Sequence, residues 1–288
     1  MNKISTEIWS TSRHVGEEKA IEILAKAGFD GWDFSMFEMA RIDWSTMKLI
    51  DNPHPLNSKD YVKFAKRLKK VADDNGIVCN QGHAPFPSLI VGDDYLKRAI
   101  ECMGIVGGDI LVIHPDNNST PEQNAEMYNR LLPFAKEHNV RIATENMWNW
   151  EAGATHASFA ACATPEDFCK HVDIINDKSL VACLDLGHAE MYGLNTSAPE
   201  MIRALGYDRL KALHIHDNDK VGDSHQIPFS MNINFEEIAK ALKEIGYDGY
   251  LTLEADRYLG DFDASDVEKG AKNLANSVRR LGELMEKY

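Results

Sequence analysis

The chain has no Cys-x-x-Cys pair, and its five cysteines (Cys79, Cys102, Cys162, Cys169 and Cys183) are odd in number. That pattern argues against a disulfide framework and against a cysteine-built zinc site, and it makes a reducing cytoplasm the expected location. No run approaches the roughly 20 apolar residues that a membrane helix needs. The opening Met1-Asn2-Lys3-Ile4-Ser5 leads into a strand-like stretch and lacks a signal-peptide core. Basic charge is scarce as well: 31 Lys and Arg against 45 Asp and Glu leave a net charge of −14. Phosphate backbones are held largely by clustered Lys and Arg, so nucleic acid is disfavoured as a partner. Linkers and low-complexity tracts are missing too. The 288 residues, 44 % hydrophobic and 26 % charged, therefore suit one soluble domain over residues 1–288.

What is present alternates between strand-like and helix-like segments. Strands are expected at Lys3–Ile8, Phe29–Phe34, Ile77–Gln81, Asp109–Ile113, Val140–Thr144, Leu180–Leu184, Lys211–His216 and Tyr250–Leu253. Helices fill the gaps. One runs from about Gly16 to a C-terminal glycine at Gly28. Another, Ser58–Asn75, places Tyr61, Phe64, Leu68 and Val71 on one face and ends at Gly76. Others cover about Asp93–Met103 and Phe235–Ile245. Thr120-Pro121-Glu122 and Thr164-Pro165-Glu166 each read as a Thr N-cap followed by Pro at the first helical position. The last helix carries a stripe of Val267, Ala271, Leu274, Val278, Leu281 and Leu284 behind a capping-box pattern, Ser265-Asp266-Val267-Glu268. Eight strands alternating with about eight helices, about 36 residues per unit, predict an α/β fold: a single (β/α)8 TIM barrel. Gly28-Phe29-Asp30-Gly31-Trp32 echoes Gly246-Tyr247-Asp248-Gly249-Tyr250, a faint internal repeat. The loop Phe37–Pro55 is long enough to fold over the barrel mouth.

Metal-capable side chains sit at the expected strand ends. Glu145, Asp185, His214 and Glu254 follow one another at intervals of 40, 29 and 40 residues, close to one βα unit each. A barrel brings its strand ends to one mouth, where active sites form. A mixed His/carboxylate set suits Zn or Mn. His83, His114 and His188 also follow strands closely, and His216, Asp223 and His225 lie at or after the seventh. They are candidates for substrate contacts or additional metal ligands. Lys220 and Arg257 are candidate substrate contacts, and Trp32, Phe86 and Trp148 are candidate flat apolar walls for a bound ring.

From Ala27-Gly28-Phe29-Asp30-Gly31 to Glu254 the sequence resembles the xylose-isomerase-like barrels, which include sugar isomerases and epimerases, inosose dehydratases and trinuclear-zinc apurinic endonucleases. The resemblance implies a divalent ion (Mn, Zn or Co) held by Glu145, Asp185, His214 and Glu254, with His188 touching substrate. It implies a sugar, sugar phosphate or polyol isomerase or epimerase in which Glu145 and Glu254 exchange a proton through an enediolate. A lyase, a dehydratase or a glycoside-cleaving enzyme is the alternative on this scaffold. In the endonucleases, residues that His83, His114, His188, Asp223 and His225 resemble complete a three-zinc site, so phosphodiester cleavage is a third reading. One divalent ion against three carboxylates leaves a charge of about −1, suited to a neutral polyol; three ions against four carboxylates leave about +2, suited to a phosphodiester. The resemblance to the isomerases and epimerases implies one ion per chain and a small carbohydrate partner; the acidic balance disfavours nucleic acid, and the lack of a long apolar run disfavours a membrane. The resemblance also implies that a homo-oligomer can form.

Overall fold

The computed structural model describes residues 2–288. Eight parallel strands form one sheet: β1 (Ile4–Glu7), β2 (Gly31–Ser35), β3 (Val78–His83), β4 (Ile110–Val112), β5 (Arg141–Glu145), β6 (Leu180–Asp185), β7 (Leu210–His214) and β8 (Leu251–Leu253). Their order, β7-β6-β5-β4-β3-β2-β1-β8, follows the chain, with β8 beside β1. The remaining seam, β7 to β8, is joined by a parallel bridge between Ile215 and Leu253. There Ile215 N donates to Thr252 O at 2.9 Å and Glu254 N donates to Ile215 O at 3.0 Å. The fold is a TIM barrel, as the alternation predicts.

The helices bury the faces that the periodicity picks out. In Tyr61–Asp74, Phe64 and Leu68 of the expected face are buried, with Ala65 and Ala72, while Tyr61 and Val71 are half-buried; in Val267–Met285 the stripe Val267, Ala271, Leu274, Val278 and Leu281 is fully covered and Leu284 is half-buried. Gly28 closes its helix in the left-handed conformation at φ 96°, and its N–H reaches the carbonyls of Leu24 and Ala25. Thr120 forms a complete capping box with Gln123, and Thr164 accepts from Asp167 N. The Ser265–Glu268 pattern is corrected: Asp266 is the N-cap but makes no side-chain capping bond. Two features carry too little periodicity to be foreseen. A helix, Trp9–Val15, precedes the one at Glu17–Ala27, and the Phe37–Pro55 loop folds into an antiparallel hairpin, Arg41–Asp43 against Lys48–Ile50.

The barrel interior is divided in character. From β4 to β7 it is packed with Ile110, Val112, Ala143, Val181, Cys183 and Ala212. Small and medium apolar residues of this kind fill the interior of most such barrels. On the β8-β1-β2-β3 side the filling is polar. Ser5 Oγ donates to Thr252 Oγ1 at 2.7 Å, Asn80 Nδ2 donates to the same oxygen at 3.1 Å, and Thr252 Oγ1 donates to Gln81 Oε1 at 3.0 Å. A bulge makes this possible. The register jumps from Trp32 opposite Cys79 to Asp33 opposite Gln81, so Asn80 is an extra residue in β3. Two successive amide side chains thus enter a barrel that strict alternation would allow only one.

Candidate metal centre at the barrel mouth

Glu145 and Asp185 are the last residues of β5 and β6, His214 ends β7, and Glu254 follows β8 directly. Asp185 stands in register with His214, and Cys183 with Glu145, so adjacent strand ends point their side chains to one place. One ligand atom from each of the four lies within 4.8 Å of the others, and all four residues are buried. Asn146 pins two of these strand ends together: Asp185 N donates to its Oδ1 at 2.8 Å, and its Nδ2 donates to Asp185 O at 2.9 Å. Asp185 Oδ1 accepts from His188 N at 2.7 Å, while Asp185 Oδ2 is buried without a hydrogen-bond partner.

Two further groups flank this set. On one side are His83, His114 and Glu145, with His83 Nε2 2.9 Å from His114 Nε2 and His114 Nε2 3.1 Å from Glu145 Oε2. On the other are His188, His216, Asp223 and His225. There Asp223 Oδ2 lies 3.0 Å from His225 Nε2 and 3.5 Å from His188 Nε2, and the rings of His216 and His225 stack at 4.1 Å. Gly187 is what lets His216 in, since a Cβ there would collide with its ring. Asp217 shapes the loop that carries Asp223 and His225 by accepting from the backbone of Ser230, Met231 and Ile233.

The tautomers suit cation binding. His83, His188 and His225 each set Nδ1 against a carbonyl oxygen, of Ala84, Asn146 and Glu254, at 2.7–2.8 Å. A carbonyl only accepts, so Nδ1 carries a proton in each ring and Nε2 is the nitrogen turned to the cluster, the one that would give up its proton to a metal ion, the usual arrangement behind a metal-binding histidine. Burial raises the cost of every charge here, and no Lys or Arg forms an ion pair with Glu145, Asp185, Asp223 or Glu254 among the described residues. The compensation falls on imidazoles. Against burial, Asp185 and Asp223 push His188 up to about 10. Against burial too, His214 and His114 hold Glu145 well below the usual carboxylate range. Burial and the adjacent Glu145 charge drive Glu254 well above it. An orphaned carboxylate oxygen, ring nitrogens converging from several sides and the lack of a paired Lys or Arg are together the donor set of a divalent ion, and the residues fit one.

A family model described as a xylose isomerase-like TIM barrel matches residues 21–281. The chain belongs to that family. Among curated relatives, the L-ribulose 3-epimerase of Methylomonas sp. (strain DH-1) is 23 % identical over 258 residues, 86 % of this chain and 80 % of that one. A probable endonuclease 4 of Bacillus subtilis (strain 168) is 26 % identical over 178 residues, 56 % of each chain. A solved D-tagatose 3-epimerase-like protein superposes with a TM-score of 0.70 at 22 % identity, covering 98 % of both chains, a likeness of fold.

The remaining candidate residues of this xylose isomerase-like barrel lie around and beyond the mouth. Lys220 Nζ is tied to Glu190 at 2.7 Å, beside a separate surface cavity of about 320 Å³ lined by Glu190, Tyr192 and Asn195. Arg257 is exposed. Trp32 is fully buried against Phe34, as core packing and not a sugar wall. Phe86 does stand at the mouth, 4.9 Å from the His114 ring, with Phe37 and Trp44 behind it, and Trp148 lies 6.3 Å from His188. No helix among the described residues is long and apolar enough to cross a membrane.

Glu7, at the end of β1, was not expected from the sequence. It is buried in register with Asp33, and its Oε1 has no hydrogen-bond partner. Burial, then Asp256 and Asp33, push its carboxyl up to about 7. Because the folded value lies above the unfolded one, the stability Glu7 contributes is complete below about pH 4.5 and is lost as pH rises through about 7, a swing of about 3 kcal/mol. Glu7→Gln should remove that swing. Urea unfolding at pH 5 and pH 8 should show the variant gaining on the parent at pH 8; equal pH slopes would count against a protonated Glu7.

Proposed function

We propose that the chain is a divalent-metal-dependent sugar epimerase or isomerase that moves a proton at the carbon beside a carbonyl. The observation carrying this reading is the convergence of Glu145, Asp185, His214 and Glu254 from four consecutive strand ends within 4.8 Å, without a fixed cation. Those four residues would hold one ion, Mn, Zn or Co, which when bound supplies Lewis acidity to the substrate carbonyl and the neighbouring oxygen.

The protein's own groups do the rest. Glu145 and Glu254 face the site from β5 and β8. One takes the proton from the substrate carbon and the other returns it through an enediolate, a division that suits the opposite directions in which their surroundings push their carboxyls. Asp185 and His214 hold the centre. His188 directs Nε2 at a substrate oxygen, and His83 and His114 offer hydrogen bonds to hydroxyls. Phe86 and Trp148 shield opposite sides and keep water from the enediolate. The named epimerase among the relatives supports this chemistry. The test is a screen of neutral ketopentoses and ketohexoses in deuterated water with metal-loaded protein. Deuterium should appear at the carbon next to the carbonyl as configuration changes, and chelation should stop it. A full screen without exchange would sink the reading.

A second reading, phosphodiester cleavage with three ions, is favoured by one observation: His83–His114–Glu145 and His188–His216–Asp223–His225 are also assembled. The net charge of −14 weighs against it. Lyase, dehydratase or glycoside-cleaving chemistry would share the proton abstraction and differ in the departing group.

A further inference from the structure

His214 turns its two nitrogens to different worlds. Nδ1 faces the candidate centre, 3.0 Å from Glu145 Oε1 and 3.3 Å from Glu254 Oε2. Nε2 faces down the barrel axis toward Asp33 Oδ2, at 3.5 Å. Both residues are about 1 % exposed, so bulk solvent does not reach that nitrogen. A neutral imidazole that offers Nδ1 to a cation must carry its proton on Nε2, and a buried N–H of that kind needs an acceptor.

We propose that Asp33 is a positioning residue for the metal ligand His214, fixing its tautomer and ring plane from β2 inside the barrel. The inference rests on the metal-centre reading above. Asp33 is itself steered. Gln81 Nε2 donates to its Oδ2 at 2.9 Å and also to Leu213 O at 3.3 Å, while Gln81 Oε1 accepts from Thr252 Oγ1. Thr252 is held by Ser5 and Asn80. A file of polar side chains therefore runs along the β8-β1-β2-β3 side of the barrel to the back of one ligand. Half of an interior that is apolar elsewhere is given over to it, and the extra residue in β3 delivers two of its members. Asp33 Oδ1 and Asn80 Oδ1 have no hydrogen-bond partner in this file; a buried polar network left partly unpaired is costly, and this one leads to the nitrogen that a metal-binding histidine must have anchored.

The test uses the full chain, metal-stripped and titrated with Co²⁺ against a chelator, with the visible absorption of the bound ion recorded. Asp33→Asn keeps the volume but presents an amide that can turn either its oxygen or its NH₂ to Nε2. It should weaken Co²⁺ binding by about 10–100-fold and change the absorption bands, while urea unfolding of the metal-free protein stays close to that of the parent. Ser5→Ala, at the far end of the file, should lower stability and leave affinity and bands alone. Should Asp33→Asn not fold, Gln81→Met, which removes the donor steering Asp33, must weaken binding in the same direction. Parental affinity and bands in the Asp33 variant, or in Gln81→Met where that variant decides, would overturn the inference and leave the metal centre standing. A parent protein that binds no Co²⁺ would overturn both.

Discussion

Replacing Glu254 with Gln is expected to lower turnover by about 10²–10⁴-fold, the loss typical of a general acid–base group, with the fold intact. Glu254 is nearly isosteric with Gln, and its side chain sits among His83, at 3.9 Å, and His214, at 3.3 Å, without a Lys or Arg to lose. Removing one of three crowded carboxylates relieves repulsion that burial amplifies, so the unfolding free energy should hold or rise. The variant keeps an amide oxygen toward the site but no longer accepts a proton. Measuring turnover at saturating metal separates the chemical step from weakened binding of the ion. A variant that still exchanges deuterium at the parental rate would remove Glu254 from the proton-transfer role.

The second large effect concerns the ion and stability together. Asp185 is fully buried, one oxygen is occupied by His188 N and His216 Nε2, and the other is unpartnered. A ligand that binds only the folded state stabilises it by mass action, about 4 kcal/mol at a thousand times the dissociation constant. For a chain of this size that corresponds to a rise in Tm on the order of 10 °C. Calorimetry with and without Mn²⁺ or Co²⁺ should show that rise, and a chelator should reverse it. Asp185→Ala should abolish the metal-induced part; the same rise in that variant would show that the ion binds elsewhere.

Much of this architecture is legible in the amino-acid sequence. Apolar runs and capping threonines located the barrel strands and most large helices, because those signals depend on neighbours in sequence. Glu145, Asp185, His214 and Glu254 were legible because one βα unit separates each from the next, and a barrel converts that interval into proximity. Asp33 and Glu7 were hidden. A carboxylate inside a short strand reads like any polar residue near a turn, and its direction depends on which strand lies beside it. Asn146 and Asp217 act on backbone groups brought near by loops. The pairing of Lys220 with Glu190, distant in sequence, is likewise set by the fold and not by neighbours along the chain. The polar half of the barrel rests on a single inserted residue, Asn80, which no periodicity announces.

The central claim is that one divalent ion sits among Glu145, Asp185, His214 and Glu254. Its most direct test is elemental analysis of the purified, unchelated protein, with repletion and desalting where the preparation has lost metal. About three zinc ions per chain would bring phosphodiester cleavage forward, since the flanking groups would then be occupied too. The account predicts about one Mn, Co or Zn per chain, lost in Asp185→Ala; a protein that retains no divalent ion even after repletion would contradict it.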